Sequence, residues 1–153
     1  MKTISLWQYT VWLVAIRFLL PISIVMLLVL TGINLTNVGI PVLSAILASA
    51  AIGRGVARAA GCMPGWRELL AFAVLATLIF FFVNYAAYVL LAWSGIGPID
   101  FYTLNDWHRT GQIVFLMAFL TTVAFISNAV VFPFCIKAEL RAMTRRQRKE
   151  QEQ

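Results

Sequence analysis

The sequence predicts an all-α, polytopic membrane protein with four transmembrane helices and both termini on the cytoplasmic side. Composition is the first observation behind this reading. Of 153 residues, 61% are hydrophobic and only 12% charged, and the mean hydropathy is +0.87; that is too little polar surface to cover a water-soluble core. The second observation is length. A helix crosses about 30 Å of hydrocarbon with roughly 20 apolar residues, and four runs offer this: Leu13 to Gly32, Ile40 to Ala57, Leu69 to Trp93 and Ile113 to Phe134. The third is charge. Threading these runs across a membrane leaves Arg109 as the one Lys or Arg among 12 that falls on the side opposite the rest, the asymmetry that the positive-inside rule describes.

The chain therefore divides into a transmembrane domain, residues 1–136, and a basic cytoplasmic tail, residues 137–153. Arg17 leaves the start of the first span open. Either the span begins near Val11 and Arg17 snorkels to the cytoplasmic headgroups, or it begins at Phe18 and Leu6 to Ile16 lies in the interface. Trp7, Tyr9 and Trp12 favour the second reading, since amphipathic aromatic rings gather at headgroup depth. Pro21 would then sit in the first turn, where a missing N–H costs least. The run from Phe18 is too long for a signal peptide and no A-x-A site follows, so a retained helix is expected. The loop from Thr31 to Pro41 carries Gly, Asn and Pro and no charge, as a short outward turn should.

The second span is lined on one face by Ala45, Ser49, Gly53, Ala57 and Gly61, at every fourth position. Small side chains let another backbone approach closely, which is a main source of helix association in lipid. Packing within the bundle is the expected use of this face, and homodimerisation is the alternative. Arg54 and Arg58 lie one turn apart at the cytoplasmic end of this span, where the helix dipole and anionic headgroups both favour cations.

Gly61 is placed to end the second helix and Pro64 to open the third, with Glu68 in its first turn. With the alanine-rich stretch before it, this turn resembles a family of small, uncharacterised proteobacterial inner-membrane proteins with four helices. The matching positions are Ala48, Ala51, Gly61, Pro64 and Glu68; Met63 stands where that pattern has arginine. The resemblance covers the middle third of the chain. It implies a bacterial inner membrane and supplies no activity.

Inside the spans, Thr77, Asn84, Thr121, Thr122, Ser127 and Asn128 are polar and none is acidic. Counting about 1.5 Å per residue from the cytoplasmic ends sets Asn84 level with Thr121 and Thr77 level with Asn128. Interhelical hydrogen bonds, and not a substrate path, are the expected role. Cys62 and Cys135 fall at the cytoplasmic boundary, where thiols stay reduced. An outward C-x-x-C pair, which a quinone-linked disulfide oxidase would need, is missing. His108 is the one histidine, too few for a bis-histidine haem, and with Asp100 and Asp106 it makes a thin set of zinc ligands. No cofactor or metal is therefore expected. Asp106 is placed to cap the fourth span, and Gly97 to Trp107 reads either as an outer interfacial segment with Phe101, Tyr102 and Trp107 at headgroup depth or as a docking surface for a partner.

Beyond Lys137 the sequence continues with good helix formers and then turns wholly polar, so a helix that frays is expected. Arg141, Arg145, Arg146, Arg148 and Lys149 should lie against anionic phospholipid. The excess of +6 is juxtamembrane, which makes lipid a nearer partner than nucleic acid. The expectation for function is a non-enzymatic accessory or assembly component of the inner membrane, with another membrane protein or a second copy as its partner. A small transporter is the alternative, although such carriers usually depend on a buried carboxylate. A lipid enzyme built on Arg54, Arg58 and Glu68 ranks third.

Overall fold

The computed structural model describes residues 5–31, 40–95 and 100–151. Residues 1–4, residues 32–39 of the charge-free first loop, residues 96–99 and the last two residues fall outside this range. Five helices account for the described chain: α1 (Leu6–Thr31), α2 (Ile40–Ala60), α3 (Trp66–Ser94), α4 (Phe101–Arg109) and α5 (Gln112–Gln151). Among the described residues, four helices are long and apolar enough to cross a membrane, α4 being the exception. α2 packs most extensively on α5 and then on α1; α3 packs on α5 and α1; α4 lies across α3 and α5.

The exterior carries large apolar side chains on every long helix, among them Phe18, Ile22, Leu78, Phe82, Phe115, Phe119, Val130 and Phe134, all at least half exposed. Hydrocarbon, and not water, solvates a surface of this kind. The interior is built from small residues on α2 and aromatic residues on α3 and α5. Ala45, Ala48 and Ala57 are fully buried, as are Phe72, Phe80 and Phe132. Phe72 stacks on Phe132 with ring centroids 3.9 Å apart and meets Tyr9 edge-on at 5.5 Å, so one aromatic column joins α1, α3 and α5.

The first helix departs from both sequence readings. It begins at Leu6, and its first half belongs to the bundle: Tyr9 and Leu13 are fully buried, with Leu6 and Ile16 packed on the same core. The spacing of Leu6, Tyr9, Leu13 and Ile16 is that of one helix face, which outweighs the interfacial preference of the aromatics. Trp7 and Trp12 are exposed; Tyr9 is not. Pro21 lies well inside α1 and not in a first turn, so it cannot donate to the carbonyl of Arg17, one turn earlier.

Three further elements add to or depart from the expectation. The segment after Asp100 is a nine-residue amphipathic helix, α4, whose Leu104 is buried against Ala92, Ile113 and Met117. Asp100 caps it, accepting a 2.7 Å hydrogen bond from the Thr103 backbone N–H. Asp106 is inside α4 and does not cap the last long helix, which follows Gly111 in the left-handed region at φ 76°. At the other end of the bundle α5 stays helical through Gln151, beyond the point at which its polar composition argues for fraying. That stretch holds Arg, Lys, Gln and Glu, all good helix formers, and neither Gly nor Pro. α3 likewise starts at Trp66 after Gly65, so Pro64 precedes the helix and does not open it.

Candidate functional site

Four buried polar side chains, one from each long helix, meet near the middle of the bundle. The Asn128 side-chain carbonyl of α5 accepts from the Ser49 hydroxyl of α2 at 2.5 Å and, at the long limit of 3.5 Å, from the Tyr9 hydroxyl of α1. The Asn128 amide donates to Thr77 Oγ1 of α3 at 3.2 Å. Thr77 in turn donates to its own helix at Ala73 O, 2.7 Å away. Tyr9, Ser49 and Asn128 are fully buried and Thr77 nearly so. Asparagine suits the centre of such a node because it offers an acceptor and two donors on one rigid group.

The second polar locus lies nearer the α4 end. The Arg17 guanidinium interacts with the Tyr88 hydroxyl, and its Nη1 is buried without a hydrogen-bond partner. Tyr88 is eleven residues beyond Thr77 on α3, about 16 Å further along the bundle. Arg17 therefore reaches towards the α4 end, and the snorkelling towards the opposite end that the sequence allowed does not occur. An ionisable side chain inside a bundle of apolar helices is costly and by default a candidate for function. Sequence reasoning placed Arg17 at the edge of its span and so left it out of the site; the signal was its position four residues before Pro21 in an unbroken apolar run.

At the α4 end itself, His108 Nδ1 faces Leu104 O at 2.8 Å. A carbonyl only accepts, so this nitrogen carries the proton; in the neutral ring Nε2 is then the acceptor for the Tyr85 hydroxyl, 3.2 Å away. An open groove of about 500 Å³ is lined here by Tyr85, His108, Met117, Thr121 and Thr122 among others. The Thr121 hydroxyl is buried without a partner, as is the Asn84 side-chain oxygen. Asn84 donates its amide to Phe80 O of its own helix at 2.9 Å, so these two residues, which counting sets level, are not bonded to each other. Among the described residues no cluster of His, Cys, Asp and Glu could hold a metal ion. Asp100 is held below the usual carboxylate range by hydrogen bonds from the Thr103 side chain and backbone.

The small-residue face of α2 is divided by the fold. Ala45, Ser49, Gly53 and Ala57 are buried, and Gly53 sits against the Phe132 backbone carbonyl and the Cys135 Cβ of α5. Gly61 is exposed and ends the helix at φ 64°. Of the arginines assigned to headgroups, Arg54 is exposed, while Arg58 pairs with Glu139 of α5 at 2.7 Å. That pairing spans 81 positions and has no signature in the sequence. Arg141, Arg145, Arg146, Arg148 and Lys149 are all exposed on α5. Both cysteines are free, Cys62 exposed and Cys135 partly covered.

The hydrogen bond from Arg58 holds the Glu139 carboxyl below its ordinary value of 4.5. A carboxylate depressed in the folded state adds stability above its unfolded value and loses it as pH falls through the lower folded value. Wild-type protein in detergent is therefore expected to lose stability as pH falls below about 4.5, by a step that Glu139→Gln removes. Unfolding midpoints between pH 3 and 7 measure this, and an unchanged acid step in the variant would count against the pairing. Comparison with known proteins finds no matching family model, no similar curated protein and no similar solved structure.

Proposed function

We propose that this protein is a multi-pass component of a bacterial inner membrane, with both termini in the cytoplasm, that acts as a non-enzymatic accessory or assembly partner of another membrane protein. The carrying observation is the use made of the buried polar groups: Asn128 ties Tyr9, Ser49 and Thr77 together, which fastens four helices where a carrier would keep groups open to substrate. Orientation rests on the charge asymmetry of the loops, and the bacterial inner membrane on the resemblance around Gly61 to Glu68.

Isolation of the full chain from native membranes in mild detergent tests this reading. A stoichiometric membrane-protein partner is expected; recovery of the chain alone at every detergent condition would remove the accessory role. Topology is tested separately. A reporter active only in the periplasm should be inactive fused after Gln153 and active fused after Asp100, and activity at Gln153 would reverse the orientation.

A small transporter is the second reading, and Arg17 is the observation in its favour, since a partly covered guanidinium with one buried, unpaired nitrogen is what an anion in transit would meet. Arg17→Cys in a Cys62→Ser, Cys135→Ser background separates the two. Under the accessory reading the new thiol stays unreactive to a membrane-impermeant maleimide in intact vesicles. Rapid labelling would place it on an aqueous path.

A further inference from the structure

The tail half of α5 carries Lys137, Arg141 and Arg145 at four-residue spacing, hence on one face of the helix. Like charges so placed repel one another and favour a shared counter-anion. The nearest carboxylate along the helix, Glu139, faces away and is taken by Arg58. The three cations border an open groove of about 640 Å³ whose remaining lining is Met63, Leu140 and Thr144. Thr144 donates its hydroxyl to Leu140 O of its own helix, and Leu140 packs on the bundle core, so the floor is apolar and the rim cationic. The same face continues up α5 through Phe134 and Val130, which are 71% and 61% exposed. One continuous stripe is therefore apolar over its first two turns and cationic over the next two.

We infer that this groove is a discrete binding site for one anionic phospholipid. Lys137, Arg141 and Arg145 hold the phosphate and headgroup, and an acyl chain runs along Phe134 and Val130. The apolar continuation is what selects a lipid over a free phosphate, which would gain nothing from it. This differs from a diffuse attraction of the whole basic tail, in which Arg146 and Lys149 would count as much as Lys137 and Arg141.

Two paired variants of the full chain remove the same number of charges, Lys137→Gln with Arg141→Gln inside the groove and Arg146→Gln with Lys149→Gln outside it. Purified protein is titrated with phosphatidylglycerol or phosphatidylcholine and bound lipid is counted by native mass spectrometry. Wild-type protein is expected to retain one phosphatidylglycerol in preference to phosphatidylcholine. The groove pair should lose retention by on the order of tenfold or more, from two headgroup contacts, and the outer pair should stay within about twofold of wild type. Phe134→Gln should also weaken lipid retention, and excess glycerol phosphate should not displace the lipid. Equal losses in the two pairs would show a diffuse field and overturn the site. Retention unchanged in the groove pair would overturn it too, and displacement by glycerol phosphate would make the groove an anion site instead of a lipid site. If the groove pair does not purify folded, Arg141→Gln alone carries the same comparison with a smaller loss.

Discussion

Replacing Gly53 by leucine is expected to be the most damaging single change in the bundle. A Cβ at this position would lie 2.9 Å from the Phe132 carbonyl oxygen and 3.0 Å from Cys135 Cβ. The first contact is to backbone, which cannot rotate away as a side chain can. Even alanine should destabilise. Its higher helix propensity is worth at most about 1 kcal/mol, whereas overpacking costs typically 1–3 kcal/mol, and α2 and α5 must separate to admit it. Leucine should exceed about 3 kcal/mol and lower the unfolding midpoint of the detergent-solubilised monomer. Gly55 is the control on the same helix, because an added Cβ there meets nothing within 4 Å; Gly55→Ala should be neutral or stabilising. A Gly53→Leu protein that lost only a dimer, with an unchanged monomer melt, would move this face to an oligomer interface.

The second large effect is expected at Asn128. Asn128→Leu keeps the volume and removes the cross-helix bonds to Ser49, Tyr9 and Thr77. At about 0.6 kcal/mol for each interhelical bond in a membrane protein, the sum is roughly 2 kcal/mol, smaller than the clash at Gly53. Backbone packing thus outranks polar fastening in this bundle. Ser49→Ala combined with Asn128→Leu should be less than additive, because the two changes remove one shared bond. Asn84→Leu provides the contrast. Its amide bonds only its own helix and its oxygen is buried unpaired, so substitution should be nearly neutral or stabilising. Equal destabilisation by Asn84→Leu and Asn128→Leu, measured by denaturant titration, would mean that the node has no special role.

Depth along a helix is legible in a sequence because rise per residue is constant. Depth counting sets Thr77 level with Asn128, and the structure joins them by a hydrogen bond. The same counting sets Asn84 level with Thr121, and their polar atoms are left unbonded to each other. Rotation of each helix about its axis separates the two cases, and that rotation is decided by which faces pack. The error at the start of α1 has a related origin. Trp7, Tyr9 and Trp12 share an interfacial preference, but they point in different directions from one helix, and only Tyr9 turns inward.

What this sequence determines by itself is one-dimensional. The number of long apolar helices, their approximate limits and the small-residue face of α2 follow from run length and four-residue period, quantities that any segment carries regardless of its neighbours. Only the tertiary structure decided that Arg17 meets Tyr88, that Arg58 is answered by Glu139, and that Asn128 gathers one residue from each of the other long helices. These partners lie 51 to 119 positions apart in the Asn128 node and 81 apart in the ion pair. Their meeting depends on how helices are ordered, tilted and turned around a common axis, and hydrophobic periodicity carries no information about a partner so distant. α4 is the intermediate case: its aromatic and polar residues are visible in the sequence, but its burial of Leu104 exists only once α3 and α5 supply Ala92, Ile113 and Met117.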